Sequence, residues 1–226
     1  MNRQKIIKLK LEGGAPDKLP QLKESAVDTA VAAYRSVPWE ALEGSYYNNV
    51  VRALDGVDVR PEKLQEVMDA VEKPGVRDSA HNLFAGIFLS ALVNTSSRKK
   101  FKFRPKSQMD WVGYSLEEGK ELTVDGNVGI MAGREMTGGR LHIRGDARTY
   151  AGCDIKDGEM LVDGSVGDSG GQGMIGGTLT VKGDAGSNLG NFQSGGRINV
   201  EGEVKSFGPH MMGGEIYNKG ERVWPK

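Results

Sequence analysis

Apolar and polar positions alternate in short bursts along the second half of the chain, and the bursts recur at a fixed interval. Leu122, Leu141, Met160, Leu179 and Ile198 are each nineteen residues apart, as are Val124, Ile143, Val162, Val181 and Val200. Each burst reads apolar-x-apolar, a period of two, which predicts a short strand with alternate side chains turned inward. A third column of small aliphatics, Val128, Ala147, Val166, Ala185 and Val204, keeps the same interval. One short strand cannot bury itself, but identical units stacked side by side make a continuous core. Nineteen residues are enough for a strand and the crossover that returns the chain beside it. The pattern predicts a parallel β-helix, a single-stranded solenoid of about six coils with layers ~4.8 Å apart, over residues 113–226.

Glycine marks the corners. Gly126, Gly145, Gly164, Gly183 and Gly202 form one column of that period, and Gly133, Gly152, Gly171 and Gly190 another. A sixth unit, Gly213-Gly214-Glu215-Ile216-Tyr217-Asn218-Lys219-Gly220, follows after the loss of one residue. Charges keep the register too. Asp125, Arg144, Asp163, Lys182, Glu201 and Lys219 alternate in sign down one outward column, and Glu121, Arg140, Glu159, Thr178, Arg197 and Glu215 nearly do so in a second. Such pairs are worth little individually, but opposite signs on adjoining layers oppose register slips.

The first half has helical spacing. Leu22, Ala26, Ala30, Ala33 and Tyr34 predict a helix ending before Pro38. Tyr46, Val50 and Leu54 predict a second, stopped at Gly56. Leu64, Val67, Met68 and Val71 predict a third opened by Pro61. A fourth, capped by Asp78, carries His81, Phe84, Ile87, Phe88, Ala91 and Leu92. Ile7, Leu9 and Leu11 alternate with Lys8 and Lys10 as in one short strand. The expected organisation is α+β by domains. A small, mostly helical domain with one short N-terminal strand covers residues 1–100. The polar, basic stretch 94–106 marks the boundary, residues 101–112 form a linker or first capping strand, and the β-helix follows.

Composition narrows the function classes. Thirty basic residues balance thirty acidic ones, which argues against nucleic acid as the main partner. The single cysteine, Cys153, excludes an internal disulfide, a cysteine-based zinc site and an iron–sulfur cluster held by this chain alone, and it fits a reducing cytoplasm. No apolar run approaches the ~18 residues of a membrane span. The first residues lack the apolar core of a signal peptide.

The units Gly126-Asn-Val-Gly129-Ile-Met-Ala-Gly133 and Gly183-Asp-Ala-Gly186-Ser-Asn-Leu-Gly190 resemble the GXGXG domain. That domain ends the glutamate synthase large subunit. It also forms the β-helical component of formylmethanofuran dehydrogenase and its relative in the bacterial formyltransferase/hydrolase complex. The run Met211-Met212-Gly213-Gly214-Glu215-Ile216-Tyr217 looks closest to the end of the formylmethanofuran dehydrogenase type. The resemblance covers residues 113–226. Arg148 and Lys205 depart from it where Gly129, Gly167 and Gly186 obey it. It implies a right-handed β-helix that is an architectural part of a large oxidoreductase or C1-transfer assembly. It transfers no catalytic residue, because its glycines specify corners rather than chemistry.

Candidate chemistry is sparse. His142 lies between inward Leu141 and Ile143 and is expected to face outward as a surface residue. His210 follows Pro209 where the last coil is shortened, a place suited to an interface. His81 sits within a helical pattern. The three histidines lack metal-ligand spacing. Cys153 shares a polar column with Arg134, Gln172 and Asn191 and is expected to be exposed, with no activating base in view. Asp168-Ser169-Gly170-Gly171-Gln172-Gly173 imitates a phosphate loop but lacks the strand–helix context such loops need. Arg134, Arg148, Gln172, Asn188 and Asn191, with Tyr150 and Phe207, lie on the turn side and form, with His210, the candidate interface.

The sequence therefore leads to a non-catalytic docking subunit of a larger redox or C1-transfer enzyme, binding no cofactor on its own. The alternatives are a glutamate-synthase-like component, a stand-alone homo-oligomer joined through open solenoid ends, and an enzyme working on the β-helix surface. In the oligomer, the helical half caps one end and Trp224-Pro225 the other.

Overall fold

A computed structural model describes residues 25–37, 43–72 and 79–225. The expected strand at residues 7–11, and Leu22, Pro38 and Asp78, lie outside them.

Among the described residues four helices precede the strands: α1 (Ala26–Ser36), α2 (Glu43–Ala53), α3 (Pro61–Val71) and α4 (Ser79–Thr95). Ser25 caps α1, its hydroxyl accepting from the Asp28 amide at 3.1 Å, and Pro61 opens α3, where its missing N–H costs nothing. Gly56, at φ +75°, takes the left-handed turn just after α2. α1 and α3 bury one face each, Val27, Ala30 and Ala33 on the first and Leu64, Val67, Met68 and Val71 on the second. α4 differs: every residue from Phe84 to Asn94 is buried, because the helix lies between its neighbours and the solenoid.

The solenoid is a parallel sheet of β1 (Lys100–Phe103), β2 (Glu121–Val124), β3 (Thr137–Ile143), β4 (Asp157–Val162), β5 (Ile175–Val181), β6 (Gly195–Val200) and β7 (Glu215–Asn218), closed by antiparallel β8 (Glu221–Trp224). Six turns connect β1 to β7. Glu121 pairs with Arg140, Arg140 with Glu159, Glu159 with Thr178 and Thr178 with Arg197, each nineteen residues on. Arg197 pairs with Glu215, eighteen residues on, which places the lost residue in the last coil. Opposite the sheet, Val128, Ala147, Val166, Ala185 and Val204 bridge one another in parallel, layer by layer.

The basic stretch 94–106 is structured. Asn94 and Thr95 end α4, and Lys100–Phe103 is the first strand, paired with β2. The helices seal this end of the core. Ser90 Oγ of α4 accepts from the Gly113 amide at 2.9 Å. Asn94 donates to the Ser115 carbonyl at 2.9 Å and accepts from the Glu117 amide at 3.2 Å. Gln65 of α3 clamps the Arg104 backbone, donating at 3.0 Å and accepting at 2.9 Å, as a neighbouring strand would. Helical and solenoid apolar residues form one continuous buried cluster.

The two glycine columns have different causes. At Gly145, a Cβ would stand 2.6 Å from the Gly126 carbonyl carbon, and Gly164, Gly183 and Gly202 stack on one another in the same way. This column exists because backbones touch. Gly133 sits at φ +70° with the Met160 sulfur where its Cβ would point. The second column exists because the chain turns left-handed above the core.

Candidate docking surface

The outward sheet face carries the charge columns, but the pairs gather in small groups around Asp125, Asp163 and Glu215 rather than in a continuous chain. Arg144 reaches Asp125 at 3.4 Å and Lys182 reaches Asp163 at 2.7 Å. In the second column Arg140 takes Glu159 at 2.8 Å and Arg197 takes Glu215 at 2.7 Å. Lys219 stands beside Glu201 in the register, yet its ammonium pairs with Glu203. Lys102 holds the Asp125 carboxyl below the usual carboxylate value, and Lys182, then His142, do the same for Asp163. His142 Nε2 donates to Asp163 Oδ2, 2.8 Å away. An open depression of about 420 Å³ lies beside it, lined by Arg140, His142, Glu159, Leu161, Thr178 and Thr180 among others.

A second stacking device runs along the corner next to the glycines. Asn127 Oδ1 accepts from the Asp146 amide, Asp146 Oδ1 from Ser165, Ser165 Oγ from Asp184, and Asp184 Oδ1 from Glu203, all within 2.8–3.0 Å. Each short polar side chain thus satisfies the backbone of the next layer. Reading down this column in sequence reveals only small acceptor side chains, a signal that glycine and charge columns overshadow.

The turn side is tighter than its residue types suggest. Met131, Tyr150, Ser169 and Asn188 all adopt φ near +60°, and Glu135, Asp154 and Phe192 follow suit four positions later. Left-handed backbone costs roughly 1–2 kcal/mol per non-glycine residue. Interlayer hydrogen bonds offset it: the Met131 amide donates to Thr149 at 3.0 Å, Tyr150 to Asp168 at 2.9 Å and Ser169 to Ser187 at 2.7 Å. The phosphate-loop mimic at 168–173 is one such corner.

Of the candidate interface residues, Arg148, Asn188 and His210 are exposed, and Gln172 and Asn191 are half-buried. Arg134 is occupied within the molecule: its guanidinium lies 4.7 Å over the Trp111 ring and 3.6 Å from Asp154. Cys153 corrects the expectation of an exposed thiol. It is 6% exposed, and its Sγ donates to Asp154 Oδ2 at 3.1 Å. Burial, then Asp154, pushes the thiol up to about 12. Position in a polar column misled here because the Gly152 turn folds the residue after it back against the layer. Among the described residues no three His, Cys, Asp or Glu side chains group as metal ligands, and no helix is long and apolar enough to cross a membrane.

The exposed large apolar side chains among the described residues are Ile175, Phe192, Phe207 and Met212, from 38% to 71% exposed. All four belong to the last coils. Ile175 and Met212 occupy the column that holds Thr137, Lys156 and Ser194 in the other layers, and Phe192 the column of Glu135 and Asp154. Apolar residues in otherwise polar columns were a legible signal. Phe192 stacks on His210, ring centroids 5.2 Å apart, so His210 joins this ridge while Arg134 and Arg148 lie layers away. No protein-family model and no curated protein sequence matches this chain.

Proposed function

We propose that the chain is a non-catalytic docking subunit of a larger oxidoreductase or C1-transfer enzyme, most like the β-helical component of formylmethanofuran dehydrogenase. The observation that carries this reading is the exposure of Ile175, Phe192 and Met212 in the last coils, with His210 stacked on Phe192, a set that forms a ridge toward the C-terminal end of the solenoid in this reading. Apolar side chains gathered on one part of an otherwise charged surface mark a protein contact. The helical half already seals the other end, which leaves the ridge as the place of attachment. The glycine units supply the resemblance to the GXGXG domain, and hence the class of partner. The test is isolation of the chain from its native host under mild conditions. A stoichiometric larger subunit bearing flavin, pterin–metal or iron–sulfur absorbance is expected. A clean, cofactor-free homo-oligomer, or turnover by the chain alone, overturns the reading.

A further inference from the structure

The solenoid ends unevenly. β8 folds antiparallel over β7, setting Trp224 against Ile216, which is fully buried. The rest of the last coil has no such cover. Val128, Ala147, Val166 and Ala185 are all at most 5% exposed, but Val204, in the same column, is only half-buried. Phe207 bridges Leu189 and continues its column, yet it is 38% exposed where Leu189 is buried. Met211 is likewise half-covered.

The backbone at this edge is unpaired in a particular way. The bridge to the layer below uses the Glu203 carbonyl, which accepts from Ala185 at 2.8 Å, and the Lys205 amide, which donates to Ala185 at 3.0 Å. The N–H and C=O of Val204 itself therefore point away from the protein and bond no backbone group among the described residues. In the three layers below, those of Ala147, Val166 and Ala185, the same two groups are taken by the next coil: the Val166 amide donates to Asp184 and its carbonyl accepts from Gly186. Glu203 likewise ends the ladder of polar acceptors begun at Asn127.

Resting on the docking reading above, we infer that this half-open end takes up an extended segment of the larger subunit, which pairs with Val204 and completes the missing half-coil by strand addition. The fold dictates the chemistry of that segment. A small aliphatic residue lies over Val204, as Val and Ala alternate in the column beneath. A bulky apolar residue follows three or four positions later to cover Phe207, matching the spacings Ala185–Leu189 and Val204–Phe207. The amide before the small residue faces the Glu203 carboxylate, as the Glu203 amide faces Asp184. An acidic side chain beside exposed Lys205 completes the charge match. β7 occupies the same layer over the sheet, so the ladder of the second face runs on unbroken into the partner.

The test uses the native complex with Val204→Pro, which deletes the outward N–H and no hydrogen bond of the isolated chain. The expected result is an unchanged melting temperature for the chain and at least a tenfold loss of the co-isolated subunit. Amide exchange supplies the second readout. The Val204 amide of the unaltered chain exchanges at the rate of an unprotected amide when alone and at least a hundredfold more slowly in the complex. Cross-links from Lys205 fall on a partner segment of the stated pattern. A partner retained by Val204→Pro, or an unprotected Val204 amide in the complex, overturns strand addition while leaving the docking reading standing. Cross-links to a second copy of this chain overturn it in favour of self-association. No stoichiometric partner in any preparation overturns both.

Discussion

Gly183 rests on Gly164: its amide donates to the Gly164 carbonyl at 2.9 Å, and a Cβ added to Gly183 would stand 2.7 Å from the Gly164 carbonyl carbon. Backbone lies against backbone, and neither can give way. Gly183→Ala is therefore expected to destabilise by about 3 kcal/mol, the upper part of the usual overpacking range. Gly133→Ala meets the flexible end of Met160 and carries mainly left-handed strain, about 1–2 kcal/mol. Gly56→Ala, at φ +75° with open space around it, carries only left-handed strain, about 1 kcal/mol. Urea midpoints at constant m-value give the order directly. Equal costs at Gly183 and Gly56 would contradict the stacked-backbone account.

The charge columns tune stability in acid. Asp163 titrates below its ordinary 3.8 in the folded chain because Lys182 and His142 favour the carboxylate. The native state then binds fewer protons than the unfolded one near that pH. The contribution is fully present above about pH 4 and disappears as pH falls through the lowered native value. Asp163→Asn is expected to cost less than about 1 kcal/mol at pH 7, since the pair with Lys182 is partly exposed. The gap between parent and variant narrows as pH falls through that lowered native value. Urea unfolding across that range measures it, and a gap that widens in acid would refute the assignment.

Cys153 is expected to be chemically silent in the folded protein. Its thiol is buried and pushed up to about 12, so the thiolate is scarce at about pH 8. A thiol reagent such as dithiobis(nitrobenzoate) should react with one equivalent only in denaturant. Rapid labelling of the native chain would place the side chain outside.

The ridge separates stability from association. Phe192→Ser and Met212→Ser replace side chains 47% and 71% exposed, and each should change folding stability by no more than about 0.5 kcal/mol. Together they are expected to release the chain from its native complex. Analytical size-exclusion of the complex alongside thermal melts of the free variant distinguishes the two effects.

The solenoid was legible because its register is written three times over, in glycines, in aliphatics and in charges, each with the same interval. What escaped was local. The left-handed residues Met131, Tyr150 and Ser169 are ordinary L-residues held by interlayer hydrogen bonds, which no composition rule marks. Cys153 takes its burial from the turn that precedes it, whereas its neighbours in the column point to exposure. Lys219 matches Glu201 by counting, but at the free end of the last coil its long side chain reaches Glu203 instead. The helices were legible from spacing, and the role of α4 as the plug of the solenoid was not, because its apolar faces do not say what covers them.

Methyl–methyl nuclear Overhauser contacts test the layered architecture most directly. The account predicts an unbroken chain of cross-peaks linking Leu122, Leu141, Met160, Leu179, Ile198 and Ile216, the successive partners across the sheet. Cross-peaks that join Leu141 to neither Leu122 nor Met160 would contradict it.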